Sequence, residues 1–408
     1  MPSIKGSGLD WTPVCRTVDP AAAVPGICDG VSMPGKRRDL FKPVVTSSKL
    51  NPTFVDVLRS RTFQAARELM NEIFVEFHDV DHSFIREFQT AGFSARVFEL
   101  ALFAYIQEQD LILDRSHTSP DFVLLGDLLL AMEVTTTNPV QDAPPEVAAI
   151  APSDLATASR AFVFQIGKAL RRKLDHRIHG LPYWELPHVA GVPFVIAVGA
   201  FHDQHAQFHP MGLVAQYLYG TRDVASHDVN GRLIIRHEEI REHHFAGRMI
   251  PSGLFRSPEG KHLSGVLFSN NHTVSMFNRI GAEWGLAAPD TAQLRFGTCY
   301  SLDPDASEPE FFAYVVGDAL SDEGYESFSE GLHLFVNPWA NTPIQPEALP
   351  GITVHEMQDN GDLLTTTPAG LNPFVSKTIL FEGESAKNYA HYWRLVTLGV
   401  LPSVSALM

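Results

Sequence analysis

Cysteine is scarce in this chain. Cys15, Cys28 and Cys299 stand far apart, with no CxxC pair and no secretory signal beside them. Neither a disulfide framework nor a zinc ribbon is expected, and the expected compartment is a reducing cytoplasm. Long apolar runs are missing as well: the longest, near Val192 to Phe201, is half of the roughly 20 residues that a membrane span requires. No membrane partner is expected. Positive charge is short, with 31 Lys and Arg against 47 Asp and Glu and a net charge of -16. That balance disfavours a non-specific nucleic-acid binder, which needs a basic surface to neutralise phosphates. It leaves room for an acidic active site beside a local basic stripe. There is no internal repeat, no phosphate-cradling glycine loop and no Gly-x-Ser-x-Gly elbow, so nucleotide hydrolysis and serine-esterase chemistry are disfavoured. His237-Glu238-Glu239-Ile240 is followed by Arg241 and completes no HExxH motif. His202, His205, His209, His243 and His244 are therefore read as structural or helix-terminal.

What is present is acid in apolar surroundings. Val97 to Ile106 is apolar all round at helical length, as in a buried helix, and Glu99 is its only charge. A buried carboxylate needs a partner or a bound cation. Two further acids follow. Asp121 opens the run Phe122-Val123-Leu124-Leu125, and Glu133 sits in Leu128 to Thr137, with Gly126-Asp127 between the runs as a turn signal. A β-hairpin is the simplest reading. A two-residue loop would pair Asp121 with Met132, whereas an odd loop centred on Asp127 opposes it to Glu133, and the odd loop is the expectation. Two adjacent carboxylates on a buried sheet repel each other unless a divalent cation lies between them, so with Glu99 they form a candidate magnesium site.

A Glu on a buried helix, Ser119-Pro120-Asp121-Phe122 opening one strand, Glu133-Val134-Thr135 on the next, and Gln165-Ile166-Gly167-Lys168 on a following helix together resemble the catalytic core of the PD-(D/E)XK nuclease superfamily. The similarity covers roughly residues 82 to 200. It implies an α/β fold: a restriction-endonuclease-like mixed central sheet flanked by helices, here with a β-rich C-terminal extension. It also implies a metal-dependent nuclease acting on DNA, or on RNA, with Mg2+ bound by Asp121, Glu133 and the Val134 carbonyl, and with Mn2+ able to substitute. Glu99 would hold a metal water or a second ion. Thr135 stands where the family usually has Lys; Lys168 is expected to supply that cation and Gln165 to fix the water or the phosphate. Arg171, Arg172 and Lys173 are the candidate nucleic-acid contacts, with Lys36-Arg37-Arg38 a lesser one. A role in defence against foreign nucleic acid follows only by analogy with the family. The alternatives are a catalytically inactive nuclease-like module that binds nucleic acid or a partner protein, which the Thr at 135 favours, and an unrelated α/β scaffold.

Along the rest of the chain, residues 1–50 are expected to be an extended arm, 51–285 the nuclease-like domain and 286–408 a β-rich region ending in a helix. Phe54 to Phe77 reads as one long amphipathic helix, and Asp81 as a helix cap. Asn138 to Pro152 is a connection, and Ser153-Asp154 caps a helix reaching about Arg177. Val192 to Gly199 and Leu263 to Ser269 are buried strands of the main sheet. Ser385 to Leu398 is a helix expected to dock on the body or to make a homodimer contact.

Overall fold

The computed structural model describes residues 38–401, apart from 81, 127, 138–154, 202–205, 207–208, 300, 302–304, 307 and 319–324. The expected readings for residues 1–37, Asp81, the connection at 138–152, the Ser153-Asp154 cap, His202 and His205 lie outside the described residues.

Residues 38–50 belong to the body rather than to an arm. Leu40 and Phe41 are buried, Phe41 stacks on Phe54 and meets Phe88 edge-on, and Gln89 Nε2 donates to the Leu40 and Lys42 carbonyls. The long helix expected next is two helices, α1 (Pro52–Arg59) and α2 (Gln64–Glu76), separated at Ser60, whose backbone is extended. The break is held by polar bonds: Ser60 Oγ accepts from Thr62 N, and Arg67 Nη1 donates to the Val57 and Ser60 carbonyls that the end of α1 leaves open. Then come α3 (Phe84–Phe88) and α4 (Phe93–Glu108). As its sequence requires, α4 is buried on every side, packed against α2, α3 and the sheet.

Three strands follow, β1 (Ile112–Asp114), β2 (Phe122–Leu125) and β3 (Leu130–Thr136), each antiparallel to the one before. Helix α5 (Leu155–Asp175) then leads to β4 (Phe194–Gly199), which runs parallel to β3. Alternation in these strands separates two cores. Met132, Val134, Val195 and Ala197 face α4, whereas Ala131, Phe194, Ile196 and Val198 face α5. Being covered on both faces is why β4 reads as an unbroken apolar run.

After α6 (Gly212–Tyr219) come two small hairpins, β5 (Thr221–His227) with β6 (Leu233–Glu239), and β7 (Glu242–Phe245) with β8 (Arg248–Pro251). The main sheet resumes with β9 (Gly265–Ser269), parallel to β4, and α7 (Val274–Glu283). The boundary expected at 285 does not divide this sheet. β10 (Thr291–Cys299) and β11 (Glu310–Val315) lie elsewhere, but β12 (His333–Val336), β13 (Thr353–Met357) and β14 (Leu363–Thr366) complete it, in the order β1-β2-β3-β4-β9-β12-β13-β14. The C-terminal region is β-rich, yet it closes the central sheet across β9–β12 instead of hanging from it. β15 (Pro373–Glu382) joins β10 and β11 in a three-stranded sheet under α8 (Ala386–Thr397). Buried ion pairs tie that sheet to α7: Arg279 donates to both carboxylate oxygens of Glu326 (2.7 and 2.6 Å) and to Thr378, while the fully buried Arg295 of β10 pairs with Glu326 and Glu330. Among the described residues no helix is long and apolar enough to cross a membrane.

Candidate active site

The hairpin takes the odd register. Phe122 pairs with Met132, Val123 with Ala131 and Leu124 with Leu130, which centres the loop on position 127 and sets Asp121 against Glu133. Beyond Phe122 the edge of β3 has no strand partner, and Asp121 takes that place with its side chain. Its Oδ2 accepts from Val134 N at 2.7 Å, while its own N–H donates to Glu133 Oε2 at 3.3 Å. Within a strand a residue's carbonyl points the same way as its N–H, so the Val134 carbonyl shares the edge on which both carboxylates meet.

Glu133 is buried on the α5 side, and its charge is answered there by Lys173 Nζ, which pairs with Oε1. The buried Tyr183 hydroxyl also bonds to Glu133, with Lys173 lying over its ring. Burial and the adjacent Asp121 nevertheless push the Glu133 carboxyl up to about 8. Thr135, two residues on, accepts from Arg172 Nη2 at 2.9 Å.

Glu99 has the partner its surroundings demand. Arg96, one turn earlier on α4, pairs with it, and also reaches Glu87 at 2.6 Å. Burial and Asp121 push Glu99 up to about 7. Arg115 donates to the Asp121 carbonyl at 3.2 Å and lies over the rings of Phe77 and Phe122. Glu99, Asp121, Arg96 and Arg115 line a cleft of about 80 Å³ together with Asp79 and His117. Asp79 in turn pairs with Arg38, so that member of the first basic cluster is engaged with the body.

The structure thus brings Asp121, Glu133 and the Val134 backbone together, with Thr135 two residues on and Glu99 beside Asp121 alone on the α4 side, but it redistributes the cations. Helix α5 runs antiparallel to β3, since Lys173 meets Glu133 while Arg172 meets Thr135 and the Thr136 carbonyl. Lys168 lies five residues further along the helix, about 7.5 Å at 1.5 Å per residue. That carries it beyond the acids. It is exposed and, among the described residues, forms no ion pair with them. Gln165, two turns from Lys173, is buried, again without a recorded bond to the acids. Nor do residues 171–173 form one phosphate-binding stripe, because successive helical residues diverge by about 100°. Arg171 faces Tyr217 of α6, Arg172 faces Thr135 and Lys173 faces Glu133.

Sequence reasoning passed over Arg96, Arg115 and Tyr183. Arg96 had a signal, its i,i+3 spacing from Glu99. Tyr183, fifty residues from its partner, had none. Among the described residues no group of three or more His, Cys, Asp or Glu side chains is placed to hold a metal ion. The donors available to a cation are the two carboxylates, Asp121 and Glu133, and the Val134 carbonyl, a hard oxygen set of the kind magnesium takes alongside water and phosphate. Comparison with protein-family models, with curated proteins and with solved structures finds no match to this chain.

Proposed function

We propose that this chain is a magnesium-dependent nuclease, hydrolysing phosphodiester bonds in DNA, with RNA the alternative substrate, in the cytoplasm. The observation that carries the reading is the placement of Asp121 against Glu133 at the free edge of β3, with the Val134 carbonyl beside them. The succession α4, three antiparallel strands, α5 and a parallel β4 supports it, being the order the resemblance implies.

Asp121, Glu133 and Val134 would hold the ion, which when bound lowers the pKa of water and offsets charge on the scissile phosphate. Lys173 offsets part of the burial and Asp121 effects that favour a protonated Glu133, and it is within reach of a phosphate at the same edge. Arg172 takes the place of the cation missing at 135. Glu99, held by Arg96, accepts a hydrogen bond from water in the cleft. Calorimetric titration with manganese tests the assignment: Asp121→Asn and Glu133→Gln should each abolish binding, and cleavage of single- and double-stranded DNA with it. Undiminished manganese affinity in both variants would sink the site.

A second reading, a catalytically silent nuclease-like module, is favoured by one contact. Lys173 Nζ already occupies Glu133 Oε1 and neutralises charge that an ion would otherwise answer. A parent protein that binds neither manganese nor cuts any nucleic acid supports it.

A further inference from the structure

A second cavity, of about 440 Å³, neighbours the acid cleft on the other side of the first turns of α4. Arg96 and Glu99 face the acids, whereas Phe93, Ser94 and Val97 face this cavity. It sits past the carboxyl ends of the parallel strands β4 and β9, where Phe201 and Thr273 follow them, a common place for ligands in open α/β sheets. Its size falls in the range of small-molecule pockets.

The lining has a definite chemistry. Phe63, Phe93 and Phe201 supply ring surface, with Val57 and Val97 between them, and His272 forms part of the wall with both ring nitrogens already engaged, by Ser269 and by the Phe328 carbonyl. The rim is polar and carries one acidic group. Ser94 and Asp56 are exposed at the mouth, and Asp56 can only accept hydrogen bonds once ionised. Among the described residues, no Lys or Arg lines the cavity. A free phosphate or other anion would meet a carboxylate with no cation to offset it, whereas a flat, uncharged ring with N–H donors on its edge satisfies the walls and the rim together.

We propose that this cavity receives one unstacked, amino-bearing base of the nucleic-acid strand whose backbone lies at Asp121 and Glu133. The choice of ligand rests on the nuclease reading, since only a strand held at the acids would present a base on the adjacent side of α4. Ring stacking supplies sequence-tolerant attraction. Asp56 then favours adenine, cytosine or guanine over uracil and thymine, because an exocyclic amine reaches the carboxylate freely, whereas the N3–H of the other two lies between two carbonyl oxygens that repel it.

Adenosine and uridine titrations of the full chain, followed by saturation-transfer NMR, test this without requiring cleavage. Adenosine should bind, and more tightly than uridine. Asp56→Asn should erase that preference, a change that a merely structural role would not produce. Ser94→Trp, at an exposed position, should fold with an unchanged Tm and abolish nucleoside binding. In a Glu133→Gln background, an oligonucleotide carrying one abasic site should bind about tenfold more weakly than its intact parent, and Ser94→Trp should remove the difference. A protein that cuts DNA yet ignores adenosine overturns the base pocket and leaves the nuclease standing. One that binds adenosine in a Ser94→Trp-sensitive way but cuts nothing with any metal retains the pocket and overturns the nuclease. Adenosine binding that survives Ser94→Trp overturns the pocket outright.

Discussion

At the scale of single residues, the cation two positions after the strand glutamate is the point of departure. Thr135 offers only a neutral hydroxyl, and two side chains of α5 converge on that part of β3, Arg172 on Thr135 itself and Lys173 on Glu133. Their roles differ. Removing Lys173 strands a buried carboxylate next to Asp121, which raises the Glu133 pKa further and leaves a smaller fraction able to hold an ion. Lys173→Ala should therefore lower the cleavage rate by about 10²-fold or more, with part of the loss recovered at higher pH. Lys168→Ala should cut as the parent does, because Lys168 is exposed and pairs with neither acid among the described residues. Steady-state rates across pH 6.5 to 9 compare the two variants, and equal losses in both would refute the assignment of Lys173.

At the scale of elements, the hairpin loop sets the site. Removing one residue from the stretch between β2 and β3 would convert an odd loop into an even one. Because β3 is held in place by β4, β2 would slip and turn Asp121 to the α4 face. Such a deletion should leave far-UV circular dichroism near that of the parent and abolish manganese binding. Gly126, at φ 113° with open space around it, supplies the backbone conformation the loop needs. Gly126→Ala should cost about 1 to 3 kcal/mol in chemical denaturation while leaving the register, and hence metal affinity, intact.

The hairpin was legible because its turn residues and the apolar runs flanking them act locally; β4 and β9 showed as unbroken apolar runs, and α8 by its helical spacing. The three-residue β1 was too short for a period to register. The interruption at Ser60 escaped because apolar spacing continues through it, and its stabilisation comes from Arg67 in the next helix. Lys173 reaches Glu133 from α5 and Tyr183 from the 3-10 turn that follows it, and no local pattern encodes the direction of either along the sheet. The fold of β12 to β14 back onto β9 is likewise a long-range choice, invisible to any window that sees only punctuated apolar runs.

At the scale of the whole molecule, stability against pH is a balance of opposed buried groups. Burial depresses His272 and His355 to about 4, so each withholds a proton that the unfolded chain accepts below its ordinary value of 6.5, and stability is lost as pH falls from 6.5 towards 4. Glu283 works the other way. Burial and the neighbouring Glu326 raise it from 4.5 to about 7, so its contribution is fully present below 4.5 and is lost as pH rises through 7. A difference experiment isolates it. Glu283→Gln should match the parent near pH 4.5 and exceed it by up to about 3 kcal/mol at pH 8.5, from 1.36 kcal/mol per pKa unit. Urea denaturation at the two pH values decides, and a gap that does not widen with pH would show that the carboxyl is not protonated in the fold.

The pairing of β12 with β9 also fixes an order of events in the cell. Everything that builds the acid site is synthesised by the end of β4, but the edge of β9 waits for a partner more than sixty residues further along. At elongation rates of about 5 to 20 residues per second, that edge stays open for several seconds on the ribosome. An unpaired apolar strand edge is a template for joining other chains. The nascent protein thus passes through an interval in which the half that carries the acid cluster is spelled out and its sheet is still unfinished.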